Sequence, residues 1–242
     1  MWTYVIIGVC VALVLLLCLA LAIASFSFEN FAQKLKEVDS IRNSGGFSTL
    51  NYVNEINKVY FQGKLKIAQC PEWFDHYSPG VVALSAKTMS SNSLASLAII
   101  SHELGHARQD TSGDTLKKNW RMKRQGRICG LFFMPLLIVG AVMSILWVLN
   151  VLPEIWALAI GLGCAGASLL IFFFAIVLKY KEIQIEKEAS VFAVEYLQEV
   201  LSPVEVKKCK ELLNSARLTY WGTLIRTMLS WTMLTKKDKM FS

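Results

Sequence analysis

Three stretches of the chain carry no charged side chain: 1–28, 128–153 and 155–178. Each is longer than the ~20 residues a helix needs to cross a bilayer. Core helices of soluble proteins seldom run so far without a polar face, so the pattern predicts three membrane-spanning helices. "AIAS", Ala22 to Ser25, offers a cleavage-site pattern. No Lys or Arg precedes the first run, however, and its apolar stretch outruns the core of a signal peptide, so it reads as a retained anchor.

Shorter periodicities fill the remainder. "ENFAQKLKEVDSIR" continues the first run as a helix that "SGGF" breaks. A second helix follows in "STLNYVNEINKVY", with Ser48 or Thr49 as its N-cap. Alternation predicts a strand over Lys64 to Cys70 and another over Val81 to Ala86, an edge strand, with "PEWFDHYSPG" a loop between them. "SSNS" caps a helix from about Leu94 to Gln109. Beyond the third run the helix continues through "KYKEIQIEKEASVFAVEYLQEV". Ser202 then caps a helix that starts at Pro203 and covers "PVEVKKCKELLNSA". A last apolar segment, about 218–234, is interrupted by Arg226 and flanked by bases. It reads as an in-plane or packed helix, with a fourth span as the alternative.

The net charge of the 242-residue chain is +7, yet only 18% of its residues are charged. The basic excess is local. Lys117, Lys118, Arg121, Lys123, Arg124 and Arg127 precede the second span with no acid among them, and Lys179 and Lys181 follow the third. The connection "NVLPE" has no base. By the positive-inside rule, spans two and three form a hairpin whose turn faces outside, leaving 29–127 and 179–242 in the cytoplasm. Only Trp120 stands as an aromatic among these bases, so the cluster marks topology and anionic lipid, not nucleic acid. The six cysteines form no C-x-x-C pair and read as small buried residues.

Two of the three histidines lie in "SHELGH". His102 and His106, four apart, share one helical face and can bind one Zn²⁺. Glu103 points about a hundred degrees away, placed to take a proton from water activated by the metal. The apolar turns before it, "LASLAII", imply a buried helix, where this carboxylate would be stranded without a metal. Gly105 in mid-helix costs about 1 kcal/mol relative to Ala, consistent with close packing near the metal. The third ligand must come from elsewhere, and His76, Glu182, Glu186 and Glu188 are the candidates. Spacing prefers Glu186 only slightly: it stands shortly past the third span, and Ala189 and Ser190 one turn later let two helices approach.

"DHYSP" (75–79), Leu84-Ser85, "SHELGHARQ" (101–109), "EKEAS" (186–190) and "LNSARLTY" (213–220) occur in the order and spacing of a known family. Over about residues 45 to 234 the chain resembles the YugP-type membrane zinc metallopeptidases, distant relatives of HtpX-type and CAAX-prenyl membrane proteases. The resemblance implies a mainly α membrane protein: three transmembrane helices plus a small α+β zincin-like (gluzincin) cytoplasmic domain with a short β-sheet. It implies one Zn²⁺ per chain on His102, His106 and Glu186, with Glu103 as base and membrane-associated or misfolded proteins as substrates. The family's E-x-D-A-S reads E-x-E-A-S here, so Glu188 stays an alternative ligand, and Ser101 replaces an alanine. His76 and Tyr77, beside the expected edge strand, are candidate donors to an oxyanion. The domains expected are an anchor (1–28), a cytoplasmic segment with the HELGH helix (29–127), a transmembrane hairpin (128–178) and cytoplasmic helices (179–242). A zinc-binding membrane scaffold without catalysis is the alternative function. The partners expected are a protein substrate and the bilayer, with no nucleic acid; the sequence is silent on oligomeric state.

Overall fold

The computed structural model of the chain describes residues 2–72, 74–113 and 115–229, the side chains at 2–14, 16, 17, 116 and 229 excepted. It is mainly helical, with one three-stranded sheet. Helices α1 (Trp2–Asp39) and α2 (Thr49–Phe61) lead to β1 (Lys66–Cys70), β2 (His76–Ser78) and β3 (Val81–Ser85). Then come α3 (Ala86–Ser90), α4 (Leu94–Ser112), α5 (Thr115–Val148), α6 (Ile155–Gln198) and α7 (Pro203–Leu229).

The chain divides into two compact units, one of residues 1–26, 121–182 and 220–242, the other of 27–120 and 183–219. In the first, the apolar stretches of α5 and α6 form a hairpin. Their 18-residue windows have mean hydropathies of 2.5 and 2.4, and only 6% and 17% of those windows is buried. Among the described residues, two helices are thus long and apolar enough to cross a membrane, and both are mostly exposed in the structure. They touch through small residues: a Cβ on Gly140 would come within 2.8 Å of the Ala165 nitrogen, and one on Gly161 within 2.5 Å of the Ser144 hydroxyl. Asn150, at φ 57°, turns the chain between them. The first expected span lies in α1, mostly outside the described side chains, and residues 230–234 of the last apolar segment lie outside the described residues.

The second unit holds the sheet and a core built from Tyr52, Ile56, Leu84, Leu94, Leu97, Leu104, Tyr196 and Leu212, all nearly inaccessible. Caps set its helix starts. Ser48 accepts from the Asn51 N–H, and Ser93 from that of Ser96. At the start of α7, Ser202 donates to Glu205, whose carboxylate also accepts the Ser202 N–H, a capping box.

Several expectations change here. The "PEWFDHYSPG" segment is not all loop. Asp75 accepts from the Ser85 N–H at 2.6 Å and from the Thr88 hydroxyl at 2.6 Å, folding His76–Ser78 back as an antiparallel partner of β3. The sheet order is β1-β3-β2, so Val81–Ser85 is the central strand and not an edge. Val82 and Leu84 are fully buried, which suits a strand paired on both sides. The first strand begins at Lys66 instead of Lys64, because the Asn57 amide takes both the N–H and the C=O of Leu65. The final two predicted helices are one, α7, since no glycine or proline interrupts 204–221. Among the cysteines, Cys129 and Cys209 are buried, Cys70 and Cys164 are half-buried, and Cys18 is exposed.

The unusual serine before the histidines has a structural partner. Ser101 is inaccessible, donates to the Leu97 carbonyl at 2.6 Å and accepts from the Tyr52 hydroxyl at 2.6 Å. Ser101→Ala strands that buried hydroxyl and should cost about 1–3 kcal/mol. Adding Tyr52→Phe should restore most of the loss, and thermal or urea denaturation of both variants measures it.

Candidate metal centre

Everything in this site comes from the second unit. α4 carries His102 and His106 on one face, and α6 presents Glu186 opposite them. His102 Nε2 lies 3.0 Å and His106 Nε2 3.1 Å from the same Glu186 oxygen, Oε2. One ligand atom of each residue falls within 4.8 Å of the others, a spread that a single ion can bridge. Glu186 is 3% exposed.

The two helices approach this closely because nothing stands between them at Gly105. A Cβ there would sit 2.2 Å from the Ala189 carbonyl oxygen and 3.0 Å from its Cα. Glycine is therefore required on α4, and Ala189, itself inaccessible, meets it on α6. Ser190, one residue on, donates to the Glu186 carbonyl at 2.9 Å. Its hydroxyl proton is thereby committed, so at 3.1 Å it accepts from His102 Nδ1. On the other imidazole, His106 Nδ1 faces the Gln109 oxygen at 2.9 Å. Both Nδ1 atoms act as donors, and both Nε2 atoms are left to face a carboxylate. Three acceptors aimed at one point repel unless a cation or proton lies among them. This donor set, two imidazoles and a carboxylate, suits Zn²⁺. Without a metal a proton takes that role: burial works to lower the His106 pKa, but the hydrogen bond and charge of Glu186 outweigh it and hold it above its ordinary value.

Of the remaining candidates, Glu188 lies on α6 but bonds to the Gln109 amide at 2.8 Å and is outside the cluster. Glu182, in the first unit, pairs with Lys179 at 2.6 Å. His76 is exposed, its Nδ1 2.6 Å from the Phe74 carbonyl, and it too is outside the cluster. Glu103 is held differently. Its Oε2 accepts the backbone N–H of Tyr77 at 2.9 Å, which ties the carboxylate to the edge strand β2. The Tyr77 hydroxyl donates to Asp110 at 2.9 Å and accepts from the Gly80 N–H. Burial, with Asp110 beside it, pushes its pKa up to about 12, so it stays protonated.

Sequence reasoning missed two polar residues of the site. Gln109 entered only as the last residue of the landmark "SHELGHARQ", with no role assigned to it. Asn119 sat unnoticed among the bases of 117–127. It is 4% exposed and donates across 3.4 Å to Glu186 Oε1. Its own Oδ1 is buried with no partner among the described residues. An unpaired buried carbonyl costs about 1–3 kcal/mol, which a ligand proton in the site would relieve.

The family described as "Putative neutral zinc metallopeptidase" matches residues 10–236. The chain belongs to this family. Membership makes it, at the coarse level, a zinc metallopeptidase, and the His102, His106 and Glu186 cluster is a place where such a protein can hold its metal. No curated protein and no solved structure matches significantly.

Two outcomes follow for zinc. Gly105→Ala forces α4 and α6 apart, at a cost of about 1–3 kcal/mol, and should lose zinc as well as melting temperature; zinc content and a thermal melt check both. Because His106 holds its proton above the usual histidine range, zinc must displace that proton. Affinity should therefore fall as pH drops through the raised pKa and recover above it, measured by chelator competition from pH 5.5 to 8.

Proposed function

We propose that the chain is a membrane-anchored zinc metalloendopeptidase of gluzincin type, holding one Zn²⁺ on His102, His106 and Glu186, with Glu103 as general base. The observation that carries this reading is the convergence of both Nε2 atoms on one Glu186 oxygen, with the neighbouring carboxylate of Glu103 kept outside the cluster. Zinc, when bound, supplies a Lewis acid that polarises a carbonyl and brings the pKa of water to about 7.

The chain's own groups do the rest. Glu103 has one oxygen fixed by the Tyr77 N–H, which leaves the other to accept the proton of the attacking water. The same carboxyl group then returns that proton to the leaving amine. The Tyr77 hydroxyl is engaged by Asp110, and His76 gives its Nδ1 proton to the Phe74 carbonyl, so exposed His76 can donate to the developing oxyanion through Nε2 only as an imidazolium. A peptide substrate is favoured because β2, which touches Glu103, is an edge strand, and extended chains pair with such edges.

The membrane reading rests on the α5–α6 hairpin, on the uncharged start of α1 and on the bases that flank them. In it 1–28 is an anchor, 128–178 spans the bilayer as a hairpin, and 29–127 and 179–242 face the cytoplasm. Substrates would then be membrane-associated or misfolded proteins. A silent zinc scaffold needs no base beside its metal, so the placement of Glu103 favours the enzyme.

The test compares wild type with Glu103→Ala, both purified in detergent, by elemental analysis and by cleavage of an unfolded protein. One zinc per chain in both, with cleavage reduced at least ~10²-fold in the variant, is expected. Equal cleavage, or no zinc in the wild type, overturns the proposal.

A further inference from the structure

Gln109 is 1% exposed, and its amide has three polar neighbours. Its nitrogen lies 2.8 Å from the Ile185 carbonyl and 2.8 Å from Glu188 Oε2. Its oxygen lies 2.9 Å from His106 Nδ1. A carbonyl and a carboxylate only accept, so both amide protons of Gln109 are committed to them. The flipped amide would aim its oxygen at two acceptors and its protons at the imidazole. Only one orientation is therefore stable, and it makes His106 Nδ1 the donor and leaves Nε2 with its lone pair toward Glu186.

The Ile185 carbonyl alone would hold one amide proton and leave the other buried without a partner. Glu188 supplies the second acceptor. It lies at the surface of α6 and reaches inward through this contact, two residues from Glu186.

We propose that Glu188 is a positioning residue for the metal centre: it locks the Gln109 amide, which holds His106 in the tautomer that ligates through Nε2, and it does not itself bind the metal. The proposal rests on the zinc reading of the site. It also gives the second glutamate of "EKEAS" a role of its own: Glu186 meets the ion and Glu188 orients a ligand from behind.

The test uses the full chain in detergent and measures zinc affinity by chelator competition, with a thermal melt of the metal-free protein as a control for folding. Glu188→Ala should weaken zinc about 10-fold or more, within the usual range for such supporting groups. Glu188→Gln, whose side-chain oxygen still accepts the amide proton, should stay close to wild type. Gln109→Met should weaken zinc by a similar factor, and Gln109→Met with Glu188→Ala should be no worse than Gln109→Met alone, because both act through one chain. Loss of zinc in Glu188→Ala and Glu188→Gln alike, adding to the Gln109→Met loss, would make Glu188 a ligand and overturn the proposal. Unchanged affinity in Glu188→Ala, whatever its melting temperature, would overturn it too. Glu186→Ala separates the two readings: if it retains zinc, the site itself has been misassigned, whereas the Glu188 results bear on positioning alone.

Discussion

The contact between Gly105 and the Ala189 backbone governs the chemistry of this protein. A single methyl on Gly105 would collide with a carbonyl oxygen at 2.2 Å, so the two helices meet with bare backbone on one side and an alanine on the other. That separation lets a glutamate carboxylate on α6 reach two imidazoles on α4 at about hydrogen-bond distance. Glycine in mid-helix costs helix stability, and here the loss is offset by a distance that no other residue would permit. The apolar hairpin, α5 and the first part of α6, lies in sequence between the two halves of the site, so the cluster joins residues on either side of it.

Around the cluster the polar atoms are arranged by elimination. Serine has one proton to give, and Ser190 gives it to the Glu186 carbonyl, so it receives from His102. The two protons of the Gln109 amide go to Ile185 and Glu188, so its oxygen receives from His106. Each imidazole is thus turned by a different neighbour and offers the same nitrogen inward. A site of three inward acceptors is strained electrostatically until something positive enters, which makes the cluster a place that can hold a cation. Glu103 belongs to a different network. It shares α4 with the two histidines, but its carboxylate is anchored by the Tyr77 N–H of the edge strand and not by Glu186.

Much of this was legible in the sequence, and the parts that were not share a cause. Helix starts at Thr49, Leu94 and Pro203 follow from Ser48, Ser93 and Ser202, whose hydroxyls satisfy the open N–H groups locally. The H-E-x-x-H spacing places two histidines on one face whatever surrounds them. The small residues of "EKEAS" and Gly105 announced a close approach. By contrast, β2 exists because Asp75 reaches ten residues ahead to Ser85 and thirteen to Thr88, and a three-residue strand has no periodicity to read. The central place of β3 depends on that same return. Asn119 stands among the bases of 117–127 and Gln109 at the end of the predicted helix, and only contacts distant in sequence bring them to Glu186 and His106.

Local physics therefore determined the helix starts, the uncharged stretches and the pair of histidines on one helical face, since each depends on neighbours within a turn or two of helix. Only the tertiary structure decided which glutamate of "EKEAS" meets the histidines. Glu186 and Glu188 are two residues apart, chemically identical and equally available to a reading of spacing. On an α-helix two residues are about 200° of rotation, so packing at Ala189 turns one carboxylate into the site and sends the other around to Gln109. Rotation about a helix axis is set by what the helix packs against, and that is information a linear sequence does not carry.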